Sequence, residues 1–247
     1  MTVHFIGAGP GAADLLTLRA VEFLRSSRVC VYAGTYIDDA ILEHCPAGTR
    51  LVDTAKLDLD AIIAELVAAH ERGEDVARLC SGDPSLYSAL AEQSARLDAA
   101  GVPWDVTPGV PAYAAAAASL GVELTVPEVT QSVVLTRAQA RSTAMPSSEA
   151  LKNFAATRAT LALHLAITRT RLIADELTEF YEPECPAVVV FHASKPDELI
   201  LRGTLGDIAD QVEGAGLRQA AVILVGPALA RRVVTESHLY DASRDRS

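Results

Sequence analysis

The sequence predicts an α/β protein made of two domains, and three observations carry this prediction. Short apolar runs alternate with segments of helical periodicity, and glycine or proline stands at many of the junctions. The chain has 247 residues, half of them hydrophobic, which is enough for one large domain or two small ones. The alternation is interrupted once, over residues 121–128. We therefore expect domains over residues 1–120 and 121–247.

The elements expected in the first domain begin at the start of the chain. Short apolar runs predict strands over residues 3–7, 29–32, 76–80 and 103–107. Apolar residues at helical spacing predict helices over about 17–25, 57–72, 84–100 and 111–120. Asp14 or Thr17 is the expected cap of the first helix. Asp83, followed by Pro84, has the pattern of a cap before a first-turn proline.

The second domain repeats the alternation of strands and helices. Strands are predicted over residues 132–136, 160–166, 187–192 and 220–225. Helices are predicted over residues 148–156, 169–180 and 205–215. Residues 138–148 are polar and aperiodic, which is typical of a mobile loop. The residues after Arg231 are interpreted as a final strand or tail.

Composition and charge favour an intracellular protein that binds a small molecule. The formal net charge is −11 and no basic stripe is visible, which argues against nucleic-acid binding. No uncharged apolar run is long enough to span a membrane, and the first residues have the pattern of a strand instead of a targeting peptide. The four cysteines are far apart and form no C-x-x-C motif, so we expect reduced thiols and a cytoplasmic location.

A glycine loop joins the first expected strand to the first helix. The residues Gly7-Ala-Gly-Pro-Gly11, with Ala12 after them, approach the dinucleotide fingerprint of nicotinamide oxidoreductases. Pro10 has no N–H group, so the loop lacks a donor where a pyrophosphate would need one. No acidic residue ends the second expected strand. A nicotinamide enzyme is therefore disfavoured, and a tight turn without a ligand stays open as the alternative.

Two further loops follow other expected strands of the first domain. They are Leu79-Cys-Ser-Gly-Asp-Pro-Ser-Leu-Tyr87 and Pro108-Gly-Val-Pro111. Loops at the carboxyl ends of adjacent parallel strands line the usual ligand crevice of an open α/β sheet. Three such loops predict a pocket lined by backbone groups. Such a pocket suits a compact, hydrogen-bonding ligand that carries no phosphate.

The motifs in these three loops resemble those of the tetrapyrrole methyltransferase family. The resemblance rests on the glycine loop with Asp14-Leu-Leu-Thr-Leu-Arg-Ala20 after it, on Ser81-Gly-Asp-Pro-Ser-Leu-Tyr87 and on Pro108-Gly-Val110, and it extends over essentially the whole chain. Within the family, the motifs Tyr32-Ala-Gly-Thr-Tyr-Ile37, Thr136-Arg137 with Arg141, and Leu163-His-Leu165 are most similar to the members that methylate carbon 11 of precorrin-4, in vitamin B12 synthesis.

The resemblance implies a fold, a cofactor and a site. The fold is the two-domain tetrapyrrole methylase fold of class III methyltransferases, with S-adenosylmethionine in the cleft between the domains and S-adenosylhomocysteine as a product. A homodimer is also implied. The cofactor contacts, carried over residue by residue, are Pro10, Gly82, Asp83, Leu86, Tyr87, Pro111, Ala112, Leu165, Ala193 and Ala221.

The substrate expected from this resemblance, precorrin-4, carries acetate and propionate arms. An acidic protein must offset these charges locally, and Arg137 and Arg141 are the candidates for binding the carboxylates. Solvated surface positions are the alternative for both. His164 lies within an apolar strand and is interpreted as a core histidine. No general base is assigned, and no metal site is expected, because His44 and Cys45 lack further ligands nearby.

Several functions other than C11 methylation remain open from the sequence. Another precorrin methyltransferase, with or without cobalt in its substrate, would share the same motifs. A methyltransferase for RNA or diphthine on the same fold is a second alternative, although the net charge of −11 does not favour RNA. A tetrapyrrole carrier without catalysis is a third. A structural α/β domain is the fourth, and it does not account for three matched loops.

Overall fold

The computed structural model describes residues 1–138 and 144–230, and it confirms the predicted α/β fold. The chain divides into two compact units, the first over Met1–Ala115 and the second from Ala116 onward. Each unit is built on its own five-stranded sheet. Within the described residues, no helix has both the length and the apolar character required to cross a membrane.

The first unit is built on a parallel sheet. Its strands are β1 (Val3–Gly7), β2 (Val29–Tyr32), β3 (Arg50–Asp53), β4 (Val76–Cys80) and β5 (Trp104–Thr107). The strand order is β3-β2-β4-β1-β5, and every neighbouring pair is parallel. Because β1 lies between β4 and β5, the loops that follow these three strands emerge side by side at one edge of the sheet.

Helices cover both faces of this sheet. They are α1 (Leu18–Ser26), α2 (Asp39–Leu42), α3 (Leu59–Glu71), α4 (Leu90–Ala99) and α5 (Ala112–Leu120), of which α5 contains the point of division between the units. Thr17 caps α1 by accepting a hydrogen bond from the Ala20 N–H. On one face Phe5 packs with Leu66 and Leu97, and on the other face Ile6 belongs to a second buried cluster.

The second unit is built on a mixed sheet. Its strands are β6 (Val133–Arg137), β7 (Thr160–His164), β8 (Pro186–Phe191), β9 (Leu199–Thr204) and β10 (Ala221–Val225). The order is β6-β7-β10-β8-β9; β6 and β7 are parallel and the other pairs are antiparallel. Its helices are α6 (Leu151–Ala155), α7 (Thr170–Tyr181) and α8 (Ile208–Gly214). One apolar cluster joins α7 and α8 to the sheet.

The structure differs from the sequence prediction at three short elements and at one helix boundary. Strands β3 and β9 and helix α2 were not predicted. Both strands lie at the edges of their sheets and are only partly buried, and their apolar runs are short: Leu51-Val52 in β3 and Leu199-Ile200-Leu201 in β9. The helix expected over 84–100 begins only at Leu90. Tyr87 and Ala89 adopt positive φ angles of 54° and 55°, which a right-handed helix does not allow.

Candidate functional site

Two loops of the first unit are joined directly through their backbones. The Gly9 N–H donates to the Gly82 carbonyl at 3.1 Å, and the Gly82 N–H donates to the Gly9 carbonyl at 2.8 Å. Both glycines have positive φ angles, 73° and 67°. Glycine is suited to this conformation because it has no Cβ. The loop after β1 is therefore fixed against the loop after β4 by a reciprocal pair of hydrogen bonds.

The third loop, after β5, approaches the first loop more closely than side chains would allow. A Cβ atom on Gly7 would lie 2.5 Å from Gly109 Cα and 2.9 Å from the Gly82 carbonyl oxygen. Neither Gly7 nor Gly109 has a positive φ angle, so the requirement for glycine here is space and not conformation. The sequence analysis included Gly109 in a motif but did not identify this steric role.

Asp83 does not cap a helix, and that prediction is wrong. Its carboxylate accepts a hydrogen bond from the Ser85 N–H at 2.8 Å and another from the Gly109 N–H at 2.8 Å, in the neighbouring loop. Partial burial acts to raise the pKa of Asp83, but hydrogen bonds from the Ser85 hydroxyl and from the Gly109 and Ser85 N–H groups outweigh it and hold the pKa below its usual range. Asp83 is therefore an ionised bridge between two loops.

The structure brings together the expected cofactor residues of the first unit. Pro10 follows Gly9 directly, and Gly9 is paired with Gly82. A Cβ built on Gly82 would make ordinary contacts with Pro111 Cα at 3.7 Å and with the Ala112 nitrogen at 3.8 Å. The three loops thus converge at the carboxyl edge of the sheet.

Leu86 and Tyr87 lie in the segment between β4 and α4. Leu86 is half-buried, and the Tyr87 side chain is 47% exposed. Tyr87 also has a positive φ angle, which costs free energy for a residue other than glycine. The second loop therefore ends in an exposed aromatic side chain on a strained backbone.

The expected site residues of the second unit lie at one edge of its sheet. Arg137 pairs with His164 at the carboxyl ends of β6 and β7. Strand β10 runs antiparallel to β7 with Ile223 opposite Leu163, and continuing that register puts Ala221 opposite Leu165. Ala221 in turn pairs with Phe191, the last residue of β8. Ala193 follows two residues later. The topology therefore places four of the expected site residues at this edge, namely Arg137, Leu165, Ala193 and Ala221.

This edge also concentrates unusual backbone conformations. Leu165 has a φ angle of 51° and is 61% exposed, although it is a large apolar residue. His192 and Ser194, on either side of Ala193, have φ angles of 49° and 70°, and Ala220 has 53°. Positive φ angles in such residues often cluster at ligand-binding sites. The strained positions therefore coincide with the segments selected from the sequence.

Two histidines lie at this edge in different environments. Burial lowers the pKa of His164, which favours its neutral form and agrees with a core histidine. His192 stacks on Phe191, with ring centroids 3.7 Å apart, and its Nδ1 lies 2.8 Å from the Asp197 carboxylate. The sequence analysis did not select His192. The signal in the sequence is an acidic residue, Asp197, five positions after the histidine that ends the strand predicted over 187–192.

Three further findings concern charge, cysteines and metals. Arg137 is half-buried at the end of β6, whereas Arg141 lies outside the described residues. All four cysteines are free thiols. Within residues 1–138 and 144–230, no group of three or more histidine, cysteine or acidic side chains is arranged to hold a metal ion.

Comparison with known proteins gives consistent matches. The model of the family described as tetrapyrrole (corrin/porphyrin) methylases matches residues 2–209. A precorrin-4 C(11)-methyltransferase from Rhodococcus erythropolis is 55% identical over 247 residues, which are 100% of this chain and 99% of that protein.

Two solved structures extend this comparison. The X-ray structure of a cobalt-precorrin-4 methyltransferase, a cobalamin biosynthetic enzyme, aligns with a TM-score of 0.89 at 36% identity and covers 92% of this chain and 95% of that one. A uroporphyrin-III C-methyltransferase from Thermus thermophilus, in complex with S-adenosylhomocysteine, aligns with a TM-score of 0.77 at 27% identity and covers 93% and 94%.

Proposed function

The chain belongs to the tetrapyrrole methylase family, and we propose that it transfers a methyl group from S-adenosylmethionine to carbon 11 of precorrin-4, giving precorrin-5 in cobalamin synthesis. The observation that carries the proposal is the 55% identity over the full chain to a precorrin-4 C(11)-methyltransferase. Relatives named cobalt-precorrin-4 C(11)-methyltransferase are 40% and 35% identical, which favours the cobalt-free substrate. The proposal includes a homodimer in the cytoplasm, from the family resemblance and the free cysteines.

The chemistry of the three loops fits S-adenosylmethionine. Residues 7–12, 81–89 and 108–112 contain no lysine or arginine. A phosphate-bearing cofactor would lack a cationic partner there, whereas the positively charged sulfonium and amine of S-adenosylmethionine suit an acidic surrounding. In this proposal the cofactor would be held by Pro10, Gly82, Asp83, Leu86, Tyr87, Pro111 and Ala112, together with Leu165, Ala193 and Ala221 of the second unit.

The reaction requires alignment more than it requires covalent catalysis. S-adenosylmethionine supplies an electrophilic methyl group on a sulfonium sulfur. The acceptor is a macrocycle carbon made electron-rich by its pyrrole nitrogen. The protein loops would orient the donor and exclude water, and a near-attack arrangement contributes about 7–11 kcal/mol in favourable cases. The bonded backbones of the three loops, linked by Gly9, Gly82, Asp83 and Gly109, provide the rigidity that alignment needs.

Replacing Arg137 by alanine tests the proposed contact with the substrate carboxylates. Arg137 ends β6 at the same sheet edge as Leu165 and Ala221, and it would pair with an acetate or propionate arm. We expect the apparent KM for precorrin-4 to rise about tenfold, which corresponds to ~1.4 kcal/mol. The Kd for S-adenosylhomocysteine should not change. Steady-state kinetics and calorimetry measure the two quantities separately.

Arg158 provides the control for this substitution. It is an exposed arginine that precedes β7, at the other end of the strand from His164, and it lies 3.9 Å from Glu182. Arg158→Ala removes the same charge from the same unit and should leave the KM unchanged. An equal rise in KM for both variants would attribute the effect to overall charge and would contradict a specific role of Arg137.

The methylation itself is tested with the purified chain, precorrin-4 and S-adenosylmethionine carrying a ¹³C-labelled methyl group. We expect mass spectrometry to find one added methyl group, and NMR to place the labelled carbon on C11. Cobalt-precorrin-4 is assayed in parallel, and slower turnover is expected. A methyl group at another carbon would overturn the proposed position, and binding of S-adenosylhomocysteine without any transfer would overturn the proposed substrate.

A further inference from the structure

A buried glutamine joins the strained segment before α4 to the sheet. Gln93 is 2% exposed. Its Nε2 donates to the carbonyls of Ser88 and Ala89, both at 3.3 Å, and its Oε1 accepts from Arg78 Nε at 3.0 Å. The orientation of the amide follows from its partners, because a guanidinium can only donate and a carbonyl can only accept. A single side chain therefore links β4 to the segment that contains Leu86 and Tyr87.

The segment held by Gln93 has a conformation that its own residues disfavour. Tyr87 and Ala89 have φ angles of 54° and 55°. Left-handed backbone in such residues persists only where the surroundings determine it. The two carbonyls bonded by Gln93 are those of Ala89 and of Ser88, the residue between the two strained positions. The glutamine amide therefore donates its hydrogen bonds at the strained positions of the backbone.

Arg78 anchors the Gln93 side chain to the sheet. It lies in β4, is 7% exposed, and also donates to the Leu79 carbonyl at 3.0 Å and to the Val31 carbonyl at 3.4 Å. Within the part of the chain that the structure describes, it makes no ion pair with a carboxylate. Its hydrogen bonds therefore go to the sheet backbone and to Gln93, so the side chain connects two strands with the helix.

We propose that Gln93, held by Arg78, is a positioning residue that fixes the 84–89 segment in its left-handed conformation and so presents Leu86 and Tyr87 to the cofactor. This inference rests on the proposed function, because it assumes that S-adenosylmethionine contacts these residues. Gln93 itself touches no cofactor in this account. Its effect is exerted through the backbone that it holds.

The test is the substitution Gln93→Glu, with binding of S-adenosylhomocysteine measured by calorimetry. The glutamate keeps the oxygen that accepts from Arg78 and gains a charge opposite to that of the guanidinium, so the fold is retained. It loses the two donors and places a carboxylate against two carbonyl oxygens, which repels the segment. We expect the Tm to stay within a few degrees of wild type and the Kd to rise about tenfold, as for the loss of ~1.4 kcal/mol.

Glu92→Gln serves as the control. Glu92 is the exposed neighbour of Gln93 in α4. Glu92→Gln exchanges the same two residue types in the opposite direction, and it does not involve the Ser88 and Ala89 carbonyls. It should leave the Kd at its wild-type value and lower the Tm by no more than a few degrees, because Glu92 lies in the first turn of α4. A Kd for Gln93→Glu equal to that of wild type would overturn the proposal.

A second substitution separates positioning from general stability. Ala89→Gly removes the penalty for positive φ, so in the Gln93→Glu background it should restore part of the affinity. If the glutamate variant does not fold, Gln93→Met removes the same donors at similar volume, and the same rescue applies. Absence of rescue would overturn the positioning role. If the wild-type protein itself does not bind S-adenosylhomocysteine, the proposed function is overturned. This result differs from a variant-specific result, which would overturn only the positioning role of Gln93.

Discussion

Gly109→Ala is expected to abolish measurable cofactor binding while leaving the two sheets folded. A Cβ on Gly109 would lie 2.7 Å from Gly7 Cα, a separation that folded proteins do not tolerate. The Gly82 carbonyl oxygen would be closer still, and because both neighbours are backbone atoms, the loop after β5 must move away from the loops after β1 and β4. That movement also stretches the hydrogen bond from the Gly109 N–H to Asp83. We expect the Kd for S-adenosylhomocysteine to rise at least 100-fold and the free energy of unfolding to fall by about 1–3 kcal/mol, measured by calorimetry and urea denaturation.

Gly214→Ala is the matched control for this change. Gly214 is the last residue of α8, a Cβ added to it would have no neighbouring atom within 4 Å, and its backbone does not have a positive φ angle. Alanine there should leave the Kd unchanged and stabilise the protein slightly, by about 0.5–1 kcal/mol. Normal cofactor binding by Gly109→Ala would show that the close approach of the three loops is not needed for the site.

Asp83→Ala should give the second large effect, because it removes the carboxylate that joins two loops. The bonds to the Ser85 and Gly109 N–H groups are both lost. Hydrogen bonds to charged groups contribute about 1.5–3 kcal/mol each when well formed, and partial exposure reduces this, so we expect a loss of about 1–3 kcal/mol in the free energy of unfolding. The Kd for S-adenosylhomocysteine should rise about 100-fold.

The pH dependence of this loss follows from the lowered pKa of Asp83. A carboxyl group whose pKa is lower in the folded state stabilises the fold fully above its unfolded pKa of about 3.9 and loses that contribution as pH falls through the folded value. The stability difference between wild type and Asp83→Ala should therefore be full at neutral pH and decrease in acid below about pH 4. Urea denaturation across this range measures it, and a difference independent of pH would contradict the ionised bridge.

Asp58→Ala is the control for the affinity change. Asp58 accepts a hydrogen bond from the Ala61 N–H at 2.8 Å as the cap of α3, so its loss removes one carboxylate bond in the same unit. It should cost about 0.5–2 kcal/mol in stability and leave the Kd unchanged. An equal loss of affinity in both variants would indicate that Asp83 acts only through global stability.

Most of the regular elements could be predicted because their signals are local. The strands β1, β2 and β4 are rich in apolar residues, and Thr17 caps α1 as its position before the helix indicates. The helix predicted from Pro84 shows the limit of this reasoning. Asp83 and Pro84 form a favourable start, but the carboxylate bonds to Gly109, which is distant in sequence. The left-handed conformation of Tyr87 and Ala89 then delays the helix to Leu90.

The sequence by itself determined the α/β class, the three loops, and the family to which the chain belongs, because these depend on local periodicity and on motifs of consecutive residues. Only the tertiary structure decided how the motifs meet. The parallel order β4-β1-β5 sets the three loops side by side, and the antiparallel register of β7, β10 and β8 groups Leu165, Ala221 and Ala193 at one edge. The physical reason is that strand order, register and the space between two backbones depend on contacts between distant residues, which no local pattern records.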